Sequence, residues 1–562
     1  MSRIFEIADK YVEELAALDP STATALGIPG HEREMPDYSP EGAARIAALN
    51  HRTLEAIEAE VPADDRERIA REFMAERLGV QRDLYEAGEQ LRALRIIASP
   101  LQRTRSIFDD MPKATEDDWA NIAARLDLVP RTLALYRQSL NEGINRGLMA
   151  AKRQALEGAR QAETWSGVVV GEKTYFDGLL AQYEAGNKKS EIGDRAGLGA
   201  DLERGVRGAK FAYAEMASFL RNGYASKASE SEATGEDRYA LLSRVFLGDS
   251  IDPKETYEWG WQELHEVERE MVATAERIKP GASVPEVLEL LESDPARSID
   301  GADAYRAWLQ ELHDQALADL HGTHFDIPEE IRRVEVMIPP PGSAAAAYYT
   351  GPSEDFKRSG RTWWPTMGRD RFPMWGEVTT AYHEGVPGHH LQVAGARCLG
   401  DRLSRYQRLL GFISGYGEGW ALYAERLMGE LGYLENPDYY MGLLSAQALR
   451  CVRVVIDIGM HLELKIPQAE NFHPGETWNH DLAVEFSIER TGRPREFMAS
   501  EVVRYLGWGA QAISYKVGEA AWLRVRESAK KKAGAAFDLK EFHSQALDLG
   551  PMGLAQLERE LA

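Results

Sequence analysis

The chain has 562 residues, enough for a large buried core and more than one packing unit. Apolar residues make up 44%, as in ordinary globular proteins, and 66 basic against 90 acidic residues give a formal charge of −24. That charge argues against nucleic acid or an anionic membrane as a partner, and two cysteines exclude a disulfide framework or a cysteine-rich zinc site.

Residues 3–18 read as an amphipathic acidic helix. The basic stretch and apolar run of a secretory signal are missing. No window reaches the roughly 18–20 apolar residues of a membrane span. These features predict a cytoplasmic protein, with Cys398 and Cys451 as buried free thiols rather than a bridge. Helical spacing continues over 41–61, 65–93, 116–158, 198–221, 253–278 and 300–320. Asp19-Pro20, Ile28-Pro29-Gly30 and Gly248-Asp249 punctuate these helices, and 188–197 and 226–236 read as polar loops. From 331 the pattern changes. Val334 to Ile338 alternates like a strand, and Pro339-Pro340-Pro341-Gly342 closes it. Short strands are also expected at 344–349 and 361–365. A sheet beside a catalytic helix can hold an extended substrate by strand addition. Helices resume at 376–396, 402–429, 437–461 and 498–530. A boundary near 325–330 then divides an N-terminal helical scaffold, 1–328, from a C-terminal catalytic half, 329–562, the two sharing one cleft.

The helix at 376–396 carries His383-Glu384-Gly385-Val386-Pro387-Gly388-His389-His390, three of the thirteen histidines in eight residues. His-Glu opens the His-Glu-x-x-His signature, in which two imidazoles hold zinc and the glutamate is the general base. The spacing departs from it. On an ideal helix the second ligand belongs at i+4, about 40° around and roughly 6 Å along the axis. Here i+4 is Pro387. His389 falls on the wrong face of a straight helix, and His390 lies about 10.5 Å along the axis from His383. Pro387 has no N–H to donate and its ring clashes with the preceding turn, so the helix must bulge or restart, with Gly388 relaxing the backbone. A two-residue bulge returns His389 to the ligand position. His383 and His389 are therefore the expected ligands. His390 is the competing second ligand, and otherwise a substrate contact.

Glu418, in Gly417-Glu418-Gly419-Trp420-Ala421, is the expected third ligand, with glycines leaving room around it. Glu425, seven residues on, either orients a ligand histidine or is a solvated surface charge. Glu384 is the expected general base. Arg450 and Arg453 lie on an apolar helix with Asp457 and His461 each four residues further on. They form either a buried Arg453–Asp457 pair or a clamp for a substrate carboxylate. His461 is a candidate oxyanion donor. Tyr515, then Tyr505, compete for that role with Tyr348 and Tyr349. Arg504, Tyr348 and Tyr349 complete the candidate substrate contacts. A Gly-x-Ser-x-Gly elbow and a Walker loop are absent.

Together these residues resemble the bacterial family DUF885. Its hallmarks are His-Glu-x-x-Pro-Gly-His-His-Leu-Gln, Glu-Gly-Trp-Ala-x-Tyr-x-Glu, Arg-x-x-Arg-x-x-x-Asp-x-Gly-x-His and a late Arg-Tyr … Gln-Ala-x-x-Tyr-Lys-x-Gly. They read here as His383–Gln392, Glu418–Glu425, Arg450–His461 and Arg504–Gly518. Asp19 to Thr24, Gly27-Ile28 and Tyr38-Ser39-Pro40 also resemble the family's opening. The resemblance implies a mainly α, metallopeptidase-like fold, similar to gluzincins, with a small sheet beside the zinc helix and a deep cleft. Glu418-Gly419-Trp420-Ala421 looks like the third-ligand motif of zinc aminopeptidases. Two departures stand out. Gly509-Ala510 replaces the usual Pro-Gly, and many relatives look like exported lipoproteins, a signal this chain lacks. The expected function is hydrolysis of short peptides or amides with one zinc ion per chain. A zinc amidase or deacylase of small-molecule metabolism, or a non-catalytic scaffold on the same fold, are the alternatives. Assembly into a homo-oligomer is left open.

Overall fold

Helix starts are encoded in side chains. Ser2, Asp19, Ser39, Asp64 and Thr115 each accept a hydrogen bond from a backbone N–H of the first turn that follows, each such cap being worth about 1 kcal/mol. The computed structural model describes residues 2–169, 174–188, 197–339 and 346–561. Among these, 23 α-helices stand beside two small sheets, so the fold is mainly α as expected.

The helical spacing over 116–158 hides a break. Gly147 adopts φ +68° and caps Glu116–Arg146 in the left-handed conformation, and a second helix runs Lys152–Ser166. Helices expected at 402–429 and 498–530 also divide, into Arg405–Leu410 with Ser414–Glu430 and Arg495–Gly507 with Ser514–Ala533. Pro100–Asp110, Tyr175–Lys188, Glu236–Leu247 and His480–Thr491 are helices that periodicity did not single out. Of the expected polar loops, 226–236 leads into Glu236–Leu247, while nearly all of 188–197 lies outside the described residues.

In the three-stranded sheet Gly360–Trp363 is central. Val334–Met337 pairs parallel to it, Val334 opposite Gly360, and Tyr348–Thr350 pairs antiparallel, Tyr348 opposite Trp363. The strand expected at 344–349 thus begins later, its first positions and 340–343 lying outside the described residues. A second pair, Ser298–Asp300 with Arg371–Pro373, was not foreseen; three residues are too few for an alternating pattern to register.

Two large apolar clusters form the interior. Leu101, Phe108, Trp119, Leu126 and Tyr213 belong to one built from residues 94–225. The larger joins Ile4, Val12 and Phe73 to Trp420, Ile456, Trp522 and Leu557. Burying one such side chain contributes about 1.5–3 kcal/mol, so the first helices are bound to the C-terminal half across residue 328. Helix Pro437–His461 runs through the larger cluster. From Met441 to His461 every residue except Arg450 is buried, so the helix is enclosed on every side, and its polar side chains must find partners there. Ser414–Glu430 and Ser514–Ala533 meet backbone to backbone. A Cβ on Gly419 would lie 2.4 Å from the Gly518 carbonyl carbon, and one on Gly518 2.0 Å from the Gly415 oxygen. Cys398 and Cys451 are free, Cys451 buried and Cys398 partly exposed. Among the described residues no helix is long and apolar enough to cross a membrane.

Candidate metal centre

Helix Glu377–Glu384 ends at Gly385, and Gly385 to Gly388 form a turn before helical backbone resumes at His389. The interruption is wider than a two-residue bulge, and the Val386–Pro387 peptide within it is cis. The Gly388 N–H donates to Tyr382 O at 3.0 Å and the His390 N–H to Gly385 O at 3.0 Å. A Cβ on Gly388 would lie 2.0 Å from His383 O, so only glycine fits. The Trp420 indole donates to Pro387 O at 2.8 Å and pins the turn to the helix that carries Glu418.

This turn brings the His383 and His389 rings to 4.8 Å between centroids, at 85°. Glu418 Oε2 lies 3.3 Å from His383 Nε2 and 3.4 Å from His389 Nε2. His383, His389 and Glu418 are a group that could hold a metal ion, their ligand atoms all within 4.8 Å of one another. Glu425 Oε1 stands 2.8 Å from His383 Nδ1, and Thr379 Oγ1 donates to Oε2 at 2.6 Å. With Nδ1 held by Glu425, the ring turns its Nε2 toward Glu418. Glu425 is 1% exposed and so is no surface charge. Burial disfavours charge on His383, but Glu418 and Glu425 outweigh it and raise the group to about 9. Burial opposes charge on Glu418 too, yet His389 and His383 hold its carboxyl well below the usual range. Two imidazoles and a carboxylate gathered in this way are a donor set that fits a divalent metal.

Glu384 is buried beside the group. Burial raises its carboxyl, with His383, His389 and Arg450 acting against that shift. Tyr515 is partly exposed, and its ring lies 4.7 Å from the Arg453 guanidinium and 5.9 Å from that of Arg450. Burial, then the charge of Glu418, raises its hydroxyl. The exposed Phe412 ring packs at 6.2 Å from that of His389.

Other candidates are drawn elsewhere. His390 is corrected as a ligand: Nδ1 meets Tyr349 Oη at 3.0 Å and Nε2 meets Ile331 O at 2.7 Å. Burial lowers it to about 4, and it ties the sheet to the helix with no nitrogen left for a substrate. Tyr349 spends its hydroxyl there, and Tyr348 stacks on Trp363 at 5.7 Å. His461 is corrected as an oxyanion donor: Nδ1 meets Thr234 Oγ1 at 2.7 Å, Nε2 meets Tyr505 O at 3.1 Å, and the side chain is fully buried. The Arg453–Asp457 pair does not form. Arg453 donates to Tyr505 Oη at 2.8 Å and Glu501 Oε2 at 2.9 Å, because Arg495–Gly507 offers a carboxylate on its open side. Asp457 Oδ2 accepts instead from Tyr239 at 2.7 Å and from the Ala510 N–H at 2.9 Å. Arg504 donates to Glu501 and to Gln511. Tyr505 donates to Glu501 at 2.8 Å. Roles missed in the sequence are those of Thr379, Trp420 and Glu501. A threonine four residues before His383 and a tryptophan two after Glu418 were the available signals.

The family model described as "Bacterial protein of unknown function (DUF885)" matches residues 20–561. No curated protein matches the chain. Among solved structures, "the putative lipoprotein from Colwellia psychrerythraea" is similar at 23% identity and TM-score 0.84, over 99% of this chain and 98% of that one. "A putative lipoprotein of unknown function from Shewanella oneidensis" is similar at 16% identity and TM-score 0.72, over the whole of both chains. At these identities the likeness is one of fold.

Proposed function

Because the chain belongs to the DUF885 family, and its motif residues converge, we propose that it is a zinc-dependent hydrolase of amide or peptide bonds in short substrates. One observation carries the reading: two imidazole nitrogens and a carboxylate lie within 4.8 Å of one another, and Glu425 orients one imidazole from behind. Such a donor set suits zinc, held by His383, His389 and Glu418. When bound, the ion supplies Lewis acidity for polarising an amide carbonyl and activating water. Glu384 takes the proton of the attacking water and returns it to the leaving nitrogen. The Tyr515 hydroxyl donates to the oxyanion as it develops. Glu418 and Tyr515 are only partly buried and mark the side on which substrate arrives. The likeness to metallopeptidases with a deep cleft, and a cytoplasmic location, belong to the same proposal. The similar structures described as lipoproteins make cell fractionation the check on location.

Metal content by mass spectrometry tests the centre. Near one zinc per chain is expected in the wild type and in Glu384→Gln, with turnover on a peptide and amide library lost in Glu384→Gln alone. The preferred members of the library separate a peptidase from an amidase or deacylase. A wild type that retains no metal after zinc is supplied would leave a non-catalytic binding protein.

A further inference from the structure

Arg450, Arg453 and Arg504 act on Tyr515, and Arg493 is acted on in turn by Arg450 and Arg453. Arg453 and Arg504 share Glu501, with ion-pair distances of 2.9 and 2.8 Å. The other two lack such a partner. Arg450 donates to Ala446 O at 3.1 Å and has only a long pair, 3.7 Å, with Glu425, which is already engaged by His383 and Thr379. Arg493 lies in the link between His480–Thr491 and Arg495–Gly507, its guanidinium 5.7 Å from the Phe497 ring. Among the described residues its side chain makes no hydrogen bond and no ion pair. Nε of both Arg450 and Arg493 is buried without a partner. Burial, then the charges of Arg450 and Arg453, lower Arg493, with the carboxylates of Glu377 and Glu501 acting against that shift.

Placing two like charges together under partial burial is costly unless an anion joins them. Their open N–H donors match a planar carboxylate, which two guanidiniums can bridge. The position suits a substrate group. Arg450 lies 3.7 Å from the same Glu425 oxygen that holds His383, its charge acts on Glu384, and it flanks the Tyr515 ring.

We propose that Arg450 and Arg493 bind a free carboxylate of the substrate beside the bond that is cut, so that the site acts at the C-terminal end of short peptides or on N-acyl amino acids. This rests on the hydrolase reading above and narrows its substrate class. Arg453 and Arg504 form the frame behind the pair.

The test needs no known substrate. The probe is 2-sulfanylmethyl-3-phenylpropanoic acid, whose thiol seeks the metal and whose carboxylate lies near it, compared with its carboxamide. Binding to zinc-loaded protein is measured by calorimetry, with zinc stoichiometry and thermal melting determined on the same samples. The acid should bind about tenfold or more tighter than the amide, as charge-assisted hydrogen bonds require. Arg493→Gln and Arg450→Gln should bring the ratio close to one while the amide's affinity holds. Equal binding of acid and amide in the wild type, or an acid preference that survives in every variant that melts normally, overturns the proposal while leaving the metal centre standing. Protein that takes up no zinc overturns the hydrolase reading first and this inference with it.

Discussion

Two buried polar networks flank the helix Pro437–His461, and they differ in balance. On one side Lys516 donates to Gln447 and Glu519 at 2.8 Å each and pairs with Glu263 at 3.1 Å. Arg426 and Gln447 complete Glu519 at 2.9 Å each. Every charge there meets its opposite. On the other side His383, His389 and Glu418 converge as a group that could hold a metal ion, and Arg450 and Arg493 each keep a buried Nε–H without a partner. A balanced network holds helices together. An unbalanced one stores affinity for something the chain does not contain.

The strongest way to break that contrast is to remove a ligand. His383→Ala and Glu418→Ala should each abolish stoichiometric zinc, read by mass spectrometry, and zinc should then no longer raise the melting temperature as it does for the wild type. Next comes the balanced side. Lys516→Met leaves Glu519 and Glu263 short of a cation and should cost about 3–5 kcal/mol in denaturant unfolding, with zinc stoichiometry unchanged. Zinc loss in that variant at temperatures where it stays folded would erase the distinction. Glu425→Gln keeps the shape but weakens the orientation of His383, and should lower zinc affinity about 10–100-fold in a chelator competition. The smallest effect is expected at the exposed ring beside His389. Phe412→Ala should shift stability by no more than about 0.5 kcal/mol, and any kinetic change should fall on KM.

The sequence exposed what depends on local spacing. Residues 3–18 and 437–461 show their helices because apolar positions repeat or run unbroken. The grouping of His383, His389 and Glu418 was legible because ligand chemistry restricts residue type, and Pro387 announced a break in the helix. What was lost depends on partners distant in the chain. His390 reads like a ligand until Ile331 O and Tyr349 claim both of its nitrogens, and His461 until Thr234 and Tyr505 do the same. Arg453 at i−4 from Asp457 looks paired, yet Glu501, 48 residues away, takes it. Arg493 sits in no motif, and only the fold brings it under the charge of Arg450.

The seam at Gly415, Gly419 and Gly518 has a consequence for anyone reshaping this centre. Glu418 and Tyr515 ride on two helices whose main chains already touch, so their separation is a hard mechanical stop, with no side-chain padding to trim or thicken. New specificity would have to be sought in what surrounds that fixed gauge, at Phe412 or along the arginine wall, while the gauge itself offers evolution and the engineer almost no adjustment.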